Sequence, residues 1–356
     1  MESEIKLMEP FKPNKLRIYR KGVTMYTCLV DSGTSMTRIR LFQENQLVDA
    51  VIKHVGAADV AVSGTKKALV EGLESGISQL KKKVGLADGD ISAVILTGMV
   101  TSNNGLKEIP HVRNTVPLND FSMIEEKKFT LAGCPVFYIP GVKVENGPLE
   151  EKDMMRGEEC EIIGYLQSQE NVTNNMVFIH YGSHHKIIRV ENNHIVSCKT
   201  SMTGEIMALL SNHSILKNSI VDLANLEQKE EWVLKGFRQT FEQGFGRTVF
   251  STRVLDVMEG NDKNNNMNFL LGALLALDYQ FMEPILSNSK GKVVLYGRQL
   301  FPMLFRRILH RHHSTLKVEI VNPEKAGMLS TQGALAVYSQ YLRKKQDFVS
   351  FGTGDD

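Results

Sequence analysis

The stretch CLVDSGTSMTRIRLF, residues 28–42, sets an apolar run against a turn of small residues. The run ends in Asp31. Ser32, Gly33, Thr34 and Ser35 follow, and Ile39, Leu41 and Phe42 resume the apolar pattern. Apolar segments on both sides of such a turn read as a hairpin. The same arrangement suits a phosphate loop. Glycine lets backbone N–H groups approach an anion, hydroxyls add donors, and an acid beside the phosphates can hold hydrated Mg2+.

Outward from this hairpin the pattern predicts a third strand over 47–54. Leu69, Leu73, Ile77, Leu80 and Val84 then mark one helix face, with Lys81, Lys82 and Lys83 and then Gly85 at its end. Cations suit a helix C-terminus and glycine suits the left-handed cap. AVILTG (93–98) reads as a buried strand, followed by a loop, a helix and a strand at 135–141. The second half repeats this order. Strands are expected at 176–183, 186–190 and 194–198, the last two joined by a tight Asn192-Asn193 turn. A helix begins near 204, KVVLYG (292–297) is a strand, LFPMLFRRIL is a helix, and a last strand (317–321) and helix (324–343) close the chain. GNDKNNNMN (260–268) reads as a loop between helices. Two related α/β domains with mixed sheets facing a cleft account for this repeat. GSHHK (182–186) occupies in the second half the place of DSGTS in the first, so the two turns make a pair.

Composition narrows the classes. With 356 residues and 42% hydrophobic content the chain favours two domains. Lys plus Arg total 42 against 40 acids, a balance that favours neither nucleic acid nor an anionic membrane as partner. The four cysteines, Cys28, Cys134, Cys160 and Cys198, form no CxxC pair. Cys28 and Cys134 sit inside apolar runs, which suggests buried thiols in a reducing, cytoplasmic compartment. The charged N-terminus lacks a secretory h-region, and no apolar run reaches membrane-spanning length. No Walker or dinucleotide-binding glycine motif is present.

Other segments carry chemistry. MRGEE supplies Arg156, Glu158 and Glu159. Arginine can bind a carboxylate or phosphate bidentately, and a glutamate can take the proton of an attacking hydroxyl. Neighbouring helical residues diverge by about 100°, so one acid faces the site and the other supports it or is exposed; Glu158 is favoured as the base. GMVTSNNG follows a strand at its carboxyl end, where ligands gather in open sheets, and offers Thr101, Ser102, Asn103 and Asn104 to sugar hydroxyls. His184 and His185 alternate across a strand, which disfavours a shared metal.

DSGTSMTRIRLF resembles the first phosphate loop of the acetate and sugar kinase/Hsp70/actin superfamily. GMVTSNNG (98–105), YIPG (138–141), MRGEE (155–159), GSHHK (182–186), MTGE (202–205) and LLSNHSIL (209–216) together resemble the 2-keto-3-deoxygalactonate kinase family. They follow that family's order over roughly residues 25–340. Where the family reads Gly-Thr-His-x-Lys, this chain has Gly-Ser-His-His-Lys, which keeps a hydroxyl. The resemblance implies an α/β fold of two ribonuclease H-like (actin-like ATPase) domains with mixed five-stranded sheets flanking a cleft. It places domain I over 25–155, with the helix near 330–345 packing back on it, and domain II over 156–329. Residues 1–24 form an extension the family does not explain.

The implied activity is ATP-dependent phosphorylation of the terminal (6-) hydroxyl of 2-dehydro-3-deoxy-D-galactonate in D-galactonate catabolism, with ATP and Mg2+. The expected partners are small molecules, not nucleic acid or membrane; a homodimer is left open. ATP is expected at Asp31, Gly33, Thr34, Ser35, Gly182, Ser183, His184, Lys186, Gly297 and Arg298, with Asp31 holding the metal. The sugar acid is expected at Thr101, Ser102, Asn103, Asn104 and Glu205, beside the catalytic Arg156, Glu158 and Glu159. Another sugar kinase of the superfamily, or a non-catalytic ATP-binding regulator, is the competing reading.

Overall fold

The computed structural model describes residues 25–169 and 175–351; the N-terminal extension lies outside these residues. The chain divides into two compact units. One comprises the described residues up to Lys143, Met155–Val172, and those from Met328 onward; the other comprises Val144–Met154 and Thr173–Gly327.

The first unit opens with β1 (Tyr26–Ser32), β2 (Thr37–Gln43) and β3 (Gln46–Lys53). The quoted stretch is therefore a hairpin, in which Val30 pairs with Ile39 and Ser32 with Thr37. Helices α1 (Ala57–Ser63) and α2 (Lys67–Val84) follow, then β4 (Ile91–Gly98). Helix α2 buries Leu69, Leu73, Ile77 and Leu80 and ends at Gly85 in the left-handed conformation, as its spacing and cap predict. Between β4 and α3 (Glu158–Gln167) the chain forms only short pieces: β5 (Val112–Arg113), β6 (Ile124–Glu125), β7 (Val136–Tyr138), β8 (Val142–Val144) and β9 (Asp153–Met155). The helix expected between residues 98 and 135 is absent; Met99–Thr101 and Leu118–Asp120 make single 3-10 turns. Pro110, Pro117 and Gly133 break that segment.

The sheet of this unit runs β3-β2-β1-β4-β7-β6. It has six strands, not the expected five, because the two-residue β6 pairs with β7 at the edge. Cys28, Val30, Ile39, Leu41, Val94 and Leu96 form its core with helix α2.

The second unit repeats the hairpins with β10 (Asn175–Tyr181), β11 (His185–Glu191) and β12 (His194–Ser201). Asn192 and Asn193 both take positive φ, 47° and 63°, as a two-residue hairpin turn requires. Then come α4 (Thr203–His213), α5 (Glu230–Gln243), α6 (Phe245–Val257), α7 (Lys263–Ser287), β13 (Lys292–Gly297), α8 (Leu300–His312), β14 (Val318–Ile320) and α9 (Pro323–Phe351). The sheet runs β12-β11-β10-β13-β14, the same hairpin-then-parallel order as β3-β2-β1-β4-β7.

The stretch 260–268 is not wholly a loop. Asp262 caps α7, accepting from the N–H of Asn264 and Asn265, and the asparagines continue into the helix. Asn266 and Asn268 are fully buried and bond the carbonyls of Ser219 and Glu227, so they fasten the segment before α5. Helix α7 is long and apolar enough to cross a membrane by length and composition, but it is the core helix of this unit, burying Phe269, Leu270, Leu274 and Leu275.

Residues 155–169 belong to the first unit, whereas the resemblance places a boundary at 155/156. The cause is close helix packing. A Cβ on Gly333 of α9 would lie 1.8 Å from the Cys160 carbonyl oxygen, and one on Gly164 of α3 would lie 2.1 Å from that of Leu329. The rings of Tyr338 and Tyr341 of α9 pack on Phe137 of β7.

Candidate active site

In the first unit the turn after β1 is held from behind. Gly33 N–H donates to Met36 O at 2.9 Å, and the carbonyls of Gly33 and Thr34 accept from Ala57 and Ala58 at the start of α1, at 3.2 and 2.8 Å. A Cβ on Gly56 would lie 2.6 Å from both carbonyl oxygens, so only glycine permits this approach. The carbonyls thus face α1, and Thr34 and Ser35 stay accessible. Asp31 lies at the strand end with its carboxylate 3.8 Å from the Arg38 guanidinium.

The strand ends converge on Gly98. At φ 80° it abuts β1; a Cβ there would lie 2.5 Å from Ser32 O and 3.5 Å from Asp31 Oδ1. A Cβ on Gly157 would in turn lie 3.4 Å from Gly98 Cα. The MRGEE segment is thereby brought against the ends of β1 and β4, beside Asp31.

Within MRGEE the two acids part company. Glu159 is fully buried and accepts from Gly157 N–H at 2.9 and 2.8 Å. Burial, with Glu158 beside it, raises its pKa to about 8, so it carries a proton at neutral pH. Glu158 is 8% exposed, and its Oε2 accepts from Arg156 N–H at 3.0 Å. Arg156 donates to Thr101 Oγ1 at 3.0 Å and Ile109 O at 2.6 Å and lies 3.3 Å from His111 Nδ1. Burial lowers its pKa. Part of its donor fork is therefore committed inside the protein.

Of the polar turn at 101–104, two members are turned inward. Thr101, fully buried, donates to Gly98 O at 2.9 Å, and Ser102 donates to Met99 O at 2.7 Å. They build the 3-10 turn and steady Arg156, and are not open to sugar hydroxyls as expected. Asn103 and Asn104 remain accessible.

The second unit has a parallel construction. Gly297, at φ 109°, abuts β10 as Gly98 abuts β1; a Cβ there would lie 2.3 Å from Tyr181 O. The turn at 182–184 is backed by α4, where Glu205 N–H donates to Ser183 O at 2.8 Å. His184 Nε2 and Glu205 Oε2 are 2.9 Å apart, both partly exposed. Glu205 thus stands with the second turn, in the second unit, whereas residues 101–104 belong to the first. Lys186 is also displaced from its expected role. It is 7% exposed and donates to Met154 O at 3.2 Å and Thr200 Oγ1 at 2.9 Å. It stands within β11, with its ammonium spent on these internal acceptors.

Replacing Gly297 with Ala combines strained backbone with a clash against Tyr181. A loss of about 2–4 kcal/mol is expected, read as a lower denaturation midpoint.

A cavity of about 230 Å3 lies in the second unit, lined by Met207, Ala208, Ser211 and Asn212 of α4, by Lys217 and 220–223, and by Arg298. It joins the LLSNHSIL motif to the turn after β13, both of which the sequence singles out. Ser211 Oγ is buried with no hydrogen-bond partner among the described residues, a polar group aimed at such a space. His111, Lys217 and Asp278 escaped the sequence reading. His111 lies in no motif; Asp278, a lone acid inside the apolar run of α7, was a legible signal.

A family model described as 2-keto-3-deoxy-galactonokinase matches residues 31–330. The chain is 26% identical over 212 residues to the 2-dehydro-3-deoxygalactonokinase of Escherichia coli (strain K12), covering 58% of this chain and 67% of that protein. It is 21% identical over 255 residues to a Rhizobium meliloti protein named as a candidate enzyme of the same kind, covering 71% and 79%. The crystal structure of a candidate 2-dehydro-3-deoxygalactonokinase protein from Sinorhizobium meliloti superposes with a TM-score of 0.67 at 19% identity, over 87% of this chain and 97% of that one.

Proposed function

The chain belongs to the 2-keto-3-deoxy-galactonokinase family, and we propose that it transfers the terminal phosphoryl group of ATP to the terminal hydroxyl of 2-keto-3-deoxygalactonate. The observation that carries the mechanism is the convergence of Asp31, Gly98 and the start of α3 within one unit. It supports a reading in which the hydroxyl oxygen attacks the γ-phosphorus, ADP departs and the hydroxyl proton passes to Glu158. Arg156 and the accessible Asn103 and Asn104 would hold the sugar acid, the arginine through the donors it has left.

Phosphoryl transfer is driven mostly by positioning and by donors around the phosphates. The turns at 33–35 and 182–184, whose carbonyls are engaged by helix starts behind them, suit that task. The cavity at Arg298 suits the nucleoside. Among the described residues no three potential ligands cluster around a metal site. A magnesium ion held through its waters beside Asp31 would supply charge neutralisation to the phosphates. A cytoplasmic location completes the reading.

The test is a coupled ATP-consumption assay over aldonic acids, 2-keto-3-deoxy acids and neutral sugars. Turnover is expected with 2-keto-3-deoxygalactonate. Failure of that acid alongside turnover of a neutral hexose would overturn the substrate.

A further inference from the structure

One buried polar cluster is unused by this mechanism. His185, Thr203 and Asp278 are all fully buried in the second unit. Asp278 sits in α7 among Leu274, Leu275 and Met282. A carboxylate in such surroundings is strongly destabilising unless both oxygens are satisfied. Here Oδ2 pairs with His185 Nδ1 at 2.6 Å, and Oδ1 accepts from the Thr203 hydroxyl at 2.6 Å. His185 is the first residue after the turn at 182–184, and Thr203 opens α4, the helix behind that turn. Asp278 therefore ties together two elements that bound the turn.

The imidazole cannot wander. Tyr181 and Phe301 meet it edgewise, each with ring centroids 4.8 Å away. Its other nitrogen, Nε2, has no hydrogen-bond partner among the described residues. It is aimed at Gly204, where a Cβ would lie 3.1 Å from Nε2, 2.3 Å from Gly182 O and 2.8 Å from Ser183 O. The first unit offers a comparison. Thr37 pairs with Ser32 as His185 pairs with Tyr181. The Thr37 hydroxyl donates to Val55 O at 2.7 Å, one residue before the Gly56 that backs the first turn. His185 is a longer arm at the same place, reaching a carboxylate instead of a carbonyl.

We propose that Asp278 and His185 are a positioning pair for the nucleotide's phosphates. Asp278 orients the imidazole, and the imidazole holds the Gly182–Ser183 backbone in the form that receives an anion. This rests on reading 182–184 as a phosphate turn.

The experiment compares Asp278→Asn, His185→Ala, His185→Asn and Gly182→Ala. Asp278→Asn and His185→Ala are each expected to raise KM for ATP about tenfold or more, with kcat and KM for the sugar acid within about threefold. His185→Asn keeps a donor near the Nδ1 position and should recover most of the ATP affinity. In the unsubstituted protein the short bond should give a downfield imidazole N–H proton resonance that moves on adding ATP. If Gly182→Ala leaves KM for ATP unchanged, the phosphate-turn reading itself fails. If Gly182→Ala raises it while both pair variants stay within about twofold, that reading stands and the positioning pair is overturned. An equal loss for both substrates, or a resonance indifferent to ATP, overturns it as well; the resonance decides the matter even where a variant does not fold.

Discussion

Glu158→Gln is expected to lower kcat by about a hundredfold to ten-thousandfold while ATP still binds, the range for removing a positioned general base. The substitution is mild for the fold. Glu158 Oε2 accepts the Arg156 N–H at 3.0 Å, and a glutamine carbonyl can accept the same bond. What is lost is the capacity to take a proton. Single-turnover kinetics and calorimetric titration of ATP separate the two effects. Asp31→Asn is the companion measurement, since Asp31 is the other carboxylate at the convergence of β1 and β4. Near-normal turnover in Glu158→Gln with a collapsed Asp31→Asn would move the proton acceptor to Asp31.

The second large effect concerns stability. Glu159 titrates near pH 8 in the folded chain against an ordinary value of 4.5, because it is buried and Glu158 stands next to it. Below pH 4.5 folded and unfolded chains both hold the proton, and this group makes no difference between them. As pH rises above that value the unfolded chain releases its proton while the folded chain keeps it. The folded state binds more protons, so stability falls with pH until about 8 and then levels. Glu159→Gln carries no such titration. The stability of the parent relative to this variant should drop by about 3 kcal/mol between pH 5.5 and pH 8.5, at ~1.36 kcal/mol per unit. Denaturant melts of both proteins across that range measure it. Parallel pH profiles would place Glu159 in a better solvated site than its burial indicates.

This protonation also bears on the site. Two adjacent carboxylates in one helix start raise each other's cost of ionisation. Keeping Glu159 neutral and turned onto the Gly157 N–H leaves the start of α3 without a second negative charge. The divergence of neighbouring helical residues lets only one acid face the site, and burial makes Glu159 the other.

Much of the architecture was legible because strands and helices announce themselves by period. The hairpins of both units, the lysine-ended helix α2 and the paired order of elements all follow from apolar spacing and cap residues. The missing helix after β4 and the short edge strand β6 were not legible. Two-residue pairings carry no period, and their existence depends on a neighbouring edge. The asparagine run before α7 misled because asparagine favours loops, yet Asn266 and Asn268 find buried carbonyls to bond.

Side-chain direction was the harder matter. Thr101, Ser102 and Lys186 are the right residue types in the right motifs, but each is turned inward onto a backbone or hydroxyl acceptor. A motif states which groups are near; tertiary packing decides which remain available. The sequence alone determined the family, the repeated hairpin-and-parallel-strand plan and the two small-residue turns, because these rest on local pattern and on ordered motifs. Only the tertiary structure decided that the MRGEE helix joins the first unit, that Glu159 is the buried partner of Glu158, and that Asp278 reaches His185. Each of those depends on residues far apart in the chain, held together by glycine contacts and by the cost of leaving a buried charge unpaired.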